Sequence, residues 1–151
     1  DMSRYCIETV SSYIKKRKEK LLQGMGDWRL TFITPLSMKY QQEYMEKFYA
    51  EALVKGAARR IQMLDYYIGT ETDVPEFSVY PEIRAQSVTP KTVRRYSGTQ
   101  DSRMTLRGIS GTVIFNTMPE ECLDYLIAGE LTHMGRNTSF GFGKYTLGRN
   151  I

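Results

Sequence analysis

Two hydrophobic periods take turns along the chain. Over residues 28–33 (WRLTFI) every second residue is apolar, with Trp28, Leu30 and Phe32 on one side, the period of a half-buried strand. Thr34-Pro35 closes it, because proline has no amide hydrogen to give a ladder. Over residues 42–68 the period lengthens. Met45, Tyr49, Leu53, Ala57, Ile61, Leu64 and Ile68 recur every three or four positions, which predicts a long helix stopped by Gly69. Arg59 and Arg60 fall off that stripe and read as helix-surface charges. Residues 70–82, with Pro75 and Pro81, read as a loop. Residues 83–96 are β-rich, with Pro90 marking an edge or a bulge, and SGTQDS (97–102) is a turn. Residues 103–115 form the next strand, whose alternation slips phase at Gly108 as at a bulge. Pro119, Glu120 and Glu121 then open a second helix, striped by Leu123, Leu126, Ile127, Leu131 and Met134 and capped by Gly135. Residues 142–147 are the last strand.

The order β-α-β-β-α-β specifies an α+β, ferredoxin-like unit. Right-handed crossovers place both helices on one face of a four-stranded antiparallel sheet, with the strand at 28–33 beside the last strand and the other sheet face free. Residues 1–22 fit two patterns. Tyr5, Ile7 and Thr9 alternate as in a strand, while Cys6, Val10, Tyr13 and Ile14 share a helix face. The run KKRKEK at 15–20 reads as a solvated helix face in preference to a basic linker. Residues 1–26 are therefore expected to be an N-terminal extension or the remnant of a preceding unit, and 27–151 the ferredoxin-like domain.

A chain of 151 residues with 41% hydrophobic and 25% charged positions can bury a core without disulfides or a structural metal. No apolar run approaches the ~20 residues of a membrane span, and nothing at the start reads as a signal peptide, so no membrane role is expected. Cys6 and Cys122 lack metal-ligand spacing, and a single histidine cannot complete a zinc site, so no metal and no cofactor are expected. Both cysteines read as buried thiols in a reducing compartment. The net charge of +4 is a mild bias; its placement says more. Between residues 84 and 118 stand Arg84, Lys91, Arg94, Arg95, Arg103 and Arg107 against the single acid Asp101, which suggests a basic face on a sheet, one surface used for RNA.

The most informative stretch is GELTHMGRNTSFGFGKY, residues 129–145, between the second helix and the last strand. Gly135, Gly141 and Gly143 let the backbone approach a ligand or turn tightly. Arg136 and Lys144 supply charge, and Asn137, Thr138 and Ser139 supply hydrogen-bonding groups, a set able to cradle phosphates. A glycine pattern alone serves a tight turn equally well. His133, with Glu130 three residues before it on the helix, is open between three roles: an acid or base, a loop or RNA contact, and plain structure. Arg136 and Lys144 read as RNA-phosphate contacts. Arg94, Arg95, Arg103 and Arg107 are divided between an RNA track and a solvated sheet face. Tyr96 reads as a packing residue before a stacking platform, Phe140 and Phe142 as core anchors of the loop, and the eight methionines as core gap-fillers.

This stretch resembles the C-terminal signature of the CRISPR-associated repeat-processing endoribonucleases of the Cas-six type, in the RAMP superfamily. The resemblance rests on Gly129, Glu130, His133, Gly135, Arg136, Thr138, Ser139, Phe140, Gly141, Gly143 and Tyr145. Two further blocks agree in order and spacing. One is the entry strand Phe32, Thr34, Pro35 and Leu36 with the following pair Arg59 and Arg60. The other is Arg95, Tyr96, Ser97 and Gln100 with Met104, Leu106, Gly108 and Gly111. Thr99 stands where the family often has a basic residue, and Arg136 where lysine is more usual. The resemblance implies a prokaryotic, cytoplasmic role in antiviral defence. It implies binding and metal-independent cutting of CRISPR repeat RNA, with the 2′-hydroxyl attacking in line to leave a 2′,3′-cyclic phosphate. It also implies that full-length members carry two ferredoxin-like units, often with the catalytic histidine in the first, so this chain reads as the second. The alternative is a non-catalytic RAMP subunit or RNA-binding module that holds guide RNA beside other CRISPR effector subunits.

Overall fold

Residues 2–69, 73–97 and 102–149 are described in a computed structural model, with side chains from residue 12 onward except those of 66–67, 97 and 102–103. The turn expected at 97–102 falls largely outside them, as do the side chains of Cys6 and Arg103. In chain order the elements are α1 (Met2–Gln23), β1 (Trp28–Phe32), β2 (Lys39–Tyr40), β3 (Glu43–Tyr44), α2 (Ala50–Tyr67), β4 (Ile83–Ser97), β5 (Ser102–Phe115), α3 (Glu120–Thr132) and β6 (Tyr145–Arg149).

Alternation decides the layering. Trp28, Leu30 and Phe32 of β1 are buried while Arg29 is exposed. β1 sits inside an antiparallel sheet of order β4-β5-β1-β6, pairing Leu30 with Val113 of β5 on one side and with Leu147 of β6 on the other. This is the ferredoxin-like order, and the strand at 28–33 does neighbour the last one. Leu53, Val54 and Ala57 of α2 and Leu123, Leu126 and Ile127 of α3 close the core over the inner face. Arg29, Thr31, Thr112 and Thr146 lie across the outer face, where the pleat puts them together. The basic residues Arg94, Arg95 and Arg107 are not in this group. They sit farther out, on an arm that β4 and β5 form alone past their last contact with the β1 segment.

Several sequence expectations shift. Of the two patterns open for the N-terminal segment the structure takes the helical one over Met2–Gln23, and α1 docks on α3. Its seam is ionic: Arg17 meets Glu130 at 3.2 Å, and Lys18 meets Glu120 at 3.2 Å and Asp124 at 3.1 Å. Arg149 pins the helix end by donating to the Leu21 carbonyl at 3.0 Å and the Gly26 carbonyl at 2.7 Å while lying over Trp28. The helix expected over 42–68 starts only at Ala50; a two-residue hairpin, β2–β3, takes its first part. Leu64 and Ile68 at its far end are exposed, so the stripe outruns the core. The β4–β5 register runs unbroken past Gly108, and its one irregularity lies between Ile83 and Ala85. The phase change at Gly108 reflects crowding instead: a side chain there would meet Pro35 and Leu36, the second of which bridges to the strand at Ile109. Residues 142–144 belong to the loop, and β6 begins at Tyr145. No helix among the described residues is long and apolar enough to cross a membrane.

Candidate nucleic-acid interface

α3 ends at Thr132, and His133 rather than Gly135 caps it, with φ +56°. The loop that follows is sewn to the end of β1 by backbone bonds. The Arg136 amide donates to the Ser37 carbonyl at 2.7 Å, the Gly143 amide to Pro35 at 2.8 Å, and the Met134 amide to Gly143 at 3.0 Å. These seams leave no room for side chains. A Cβ on Gly143 would stand 1.8 Å from the Met134 carbonyl oxygen, and one on Gly135 would stand 2.3 Å from that of Ser37. Both glycines also have positive φ, so backbone conformation and space demand glycine together. Gly141, at φ +88°, has nothing near its missing side chain and is there for the turn alone. Thr34 adds a clasp: its hydroxyl donates to the Gly141 carbonyl at 2.6 Å and accepts from the Lys144 amide at 2.9 Å.

Arg60 completes the frame. Its guanidinium donates to the His133 carbonyl at 2.6 Å and to the Gly135 carbonyl at 2.9 Å, a cation on the open carbonyls at the end of α3. It is a structural clamp and not the surface charge the periodicity suggests, whereas Arg59 is exposed as expected.

The loop therefore holds its polar groups outward on a fixed backbone. Arg136, Ser139 and Lys144 are exposed; Asn137, at φ +62°, and Thr138 are half-buried around a single 3-10 turn, Thr138–Phe140. Two neighbouring elements touch this loop. Arg136 donates to the Tyr44 hydroxyl of β3 at 3.0 Å. Arg95 of the arm lies 4.4 Å from the ring centre of Phe140, in cation–π contact. Phe140 is thus a half-exposed bridge, while Phe142 is the buried anchor expected of both.

The arm is less uniform than the sequence suggests. Arg94 stands opposite Thr105 and Thr92 opposite Arg107, so Arg94, Arg107 and position 103 share one face. Arg95 stands opposite Met104 and shares the other face with Lys91. Arg94, Arg95 and Arg107 are all exposed, and so is Tyr96, at 62%, which corrects its reading as a packing residue. Arg84 is ion-paired with Asp27 at the foot of the arm.

The family model described as "CRISPR-associated endoribonuclease Cas6" matches residues 30–145. The chain belongs to that family. Its fold is similar to that of a chain in a partial Cas6-RT-Cas1–Cas2 complex, with TM-score 0.60 and 18% identity over 87% of this chain and 24% of that one. A Cas6 product complex gives TM-score 0.52 and 17% identity over 86% of this chain and 55% of that one. Thermus thermophilus Cas6 gives TM-score 0.53 and 13% identity over 86% of this chain and 57% of that one. The chain thus spans about a quarter of the first and just over half of the others. Among curated proteins, none matches it.

Within the Cas6 pattern, Glu130 and His133 part company. Glu130 takes Arg17 at 3.2 and 3.4 Å, the Thr146 hydroxyl at 3.3 Å and the Leu147 amide at 3.3 Å. It joins α1, α3 and β6, while His133 turns off at the helix end. Tyr145 of the same pattern is buried, its hydroxyl donating to the Leu126 carbonyl at 2.6 Å, and burial holds its ionisation well above the usual tyrosine range. Burial likewise pushes the Cys122 thiol up to about 11, which keeps it unreactive. Among the described residues no cluster of three His, Cys, Asp or Glu side chains could hold a metal ion. Sequence reasoning missed Tyr44 and the roles of Thr34 and Arg60. Thr34 and Arg60 stand within the Cas6 blocks, but nothing in their spacing says that they serve a loop 70 or more residues away.

Proposed function

We propose that this chain is the C-terminal ferredoxin-like unit of a CRISPR repeat endoribonuclease and that it binds repeat RNA along the glycine-rich loop and the arm. The observation that carries the reading is the rigid loop that holds Arg136 and Lys144 outward between two elements bearing Arg95 and Tyr44. Phosphates would meet Arg136, Lys144, Arg94, Arg95, Arg107 and, from its position on the arm, Arg103, with Asn137, Thr138 and Ser139 offering hydrogen bonds. The full enzyme would cut without a metal: the 2′-hydroxyl attacks the adjacent phosphorus, the 5′-oxygen leaves, and a cyclic phosphate results. That step needs a base at the 2′-oxygen, an acid at the 5′-oxygen and a cation for the developing charge. This unit supplies cations and one histidine, His133, so the remaining groups come from a further unit.

RNA affinity of the 151-residue chain is expected to fall steeply with salt. Replacing Arg136 and Lys144 together by alanine should weaken binding to every sequence and reduce the salt slope by about 1 per contact. Unchanged affinity of that double variant at ~50 mM salt, where such contacts are strongest, refutes the loop's role. With EDTA present, the chain alone is expected to cleave its repeat slowly or not at all. Efficient cleavage that vanishes in His133→Ala would make His133 catalytic instead. A second reading, a non-catalytic subunit that holds guide RNA beside other effector subunits, is favoured by one observation: the carboxylate nearest in sequence to His133 is engaged by Arg17.

A further inference from the structure

The β2–β3 hairpin has no counterpart in the hydrophobic pattern, and its turn is strained. Gln41 and Gln42 both have positive φ, +51° and +70°, the conformation of a two-residue I′ turn that Asn-Gly adopts without strain. Such strain persists only where surrounding contacts hold it, and here Arg136 ties Tyr44 of the hairpin to the glycine-rich loop. Tyr44 is 46% exposed. Arg136 holds its hydroxyl end at 3.0 Å, and the Lys39 ammonium lies 5.1 Å from its ring centre. The ring also lines a cleft of about 180 Å³ between the hairpin and the arm. Lys91 and Arg107 line the same cleft from the arm, and Glu46 from the hairpin side. The cleft is smaller than a drug-sized pocket and has the components of a nucleotide site: an aromatic face for a base, cations for a phosphate, and one carboxylate.

Resting on the RNA-binding reading above, we propose that this cleft takes one unpaired nucleotide, its base stacked on Tyr44, its phosphate at Arg107, which shares a face of the arm with the cleft-lining Pro90 and Thr92, and its amino-bearing edge at Glu46. The carboxylate sets the preference. It accepts from an exocyclic amino group and is repelled by a carbonyl, so cytosine is favoured over uracil, which carries oxygen where cytosine carries the amino group. Tyr44 contributes stacking, which is uncharged, so its loss acts equally at every salt concentration, unlike the loss of Arg136.

The test is fluorescence anisotropy of short oligo(C) and oligo(U) ribonucleotides with the full chain, across a salt series. Wild type is expected to bind oligo(C) more tightly, and Glu46→Gln to erase that preference. Tyr44→Ala is expected to weaken binding about 5- to 150-fold with an unchanged salt slope, the range for one stacked base, while Tyr44→Phe stays near wild type. If Tyr44→Ala does not fold by circular dichroism, Tyr44→Leu carries the same comparison. Binding unaffected by Tyr44→Ala or Tyr44→Leu, while Arg136→Ala still lowers affinity and slope, overturns the nucleotide site and leaves the RNA-binding reading intact. A wild-type preference for oligo(U), or one that survives Glu46→Gln, overturns the carboxylate's role. A wild-type chain that binds no RNA overturns both.

Discussion

Gly143 and Gly141 stand two residues apart with nearly equal φ, +84° and +88°, and opposite surroundings. Alanine at either position takes on the same left-handed penalty, about 1–2 kcal/mol, and the same gain from a stiffer unfolded chain. At Gly141 nothing further is met. At Gly143 the new methyl carbon lands 1.8 Å from the Met134 oxygen and 2.7 Å from its nitrogen, both backbone atoms that no rotamer change can move aside. The loop must lift by more than 1 Å, a shift estimated from ordinary van der Waals spacing. That parts the Met134-to-Gly143 and Gly143-to-Pro35 hydrogen bonds, each worth about 1 kcal/mol. Gly143→Ala is therefore expected to cost about 3–4 kcal/mol and Gly141→Ala about 1–2. The difference, ~2 kcal/mol, is free of the terms the two share. For a domain of this size it appears as a gap in melting temperature of about 4–8 °C. Urea unfolding followed by circular dichroism, with matched m-values, measures it directly. Variants that unfold within ~0.5 kcal/mol of each other would refute the claim that the backbone seam, rather than the turn, requires glycine.

Arg60→Ala removes two charge-assisted bonds to the His133 and Gly135 carbonyls and should destabilise by about 1–3 kcal/mol in the same assay; lysine should restore only part, and Arg59→Ala should change little. Tyr145→Phe leaves the buried Leu126 carbonyl without its donor and should cost about 1–2 kcal/mol; a neutral result by thermal melting would mean that the bond contributes nothing net. Cys122, with its thiol raised to about 11, should resist iodoacetamide at pH 8 in the native state and react readily once unfolded, as read by peptide mapping. Its folded value lies above the unfolded one, so its stabilising share is whole below about pH 8.5 and is lost as pH climbs toward 11. Equal labelling of native and unfolded chains would contradict that burial.

The fold was legible because its strands alternate and its helices stripe, as with Trp28, Leu30 and Phe32 or Leu123, Leu126 and Ile127. The β2–β3 hairpin was hidden because Met45, Tyr49 and Leu53 share helical spacing across a strand, a turn and a helix start. Local periodicity cannot separate these when each contributes one apolar residue. The glycine-rich loop was legible as composition and illegible as geometry. Glycines for a turn and glycines for a backbone seam look alike until the opposing segment, Pro35 to Ser37, is in place. The basic run in β4 and β5 is plain in the sequence, but strand pairing splits Arg95 from Arg94 and Arg107, and a linear sequence does not show register.

The loop's dependence on distant segments also governs when it can exist during folding. Its frame needs Thr34, Pro35 and Ser37 from just after β1, Arg60 from α2, and the glycines between α3 and β6. β1 gains both sheet neighbours only from segments about 80 and 115 residues downstream, so the closing contacts carry a large loop-closure entropy. The β4–β5 ribbon, by contrast, is joined by neighbours in sequence and can form early. Loop substitutions should therefore speed unfolding while leaving the refolding rate nearly untouched, the signature of contacts made after the barrier. During synthesis the arm would display its cations well before the loop beside it takes shape, so the surface is charged before it is shaped.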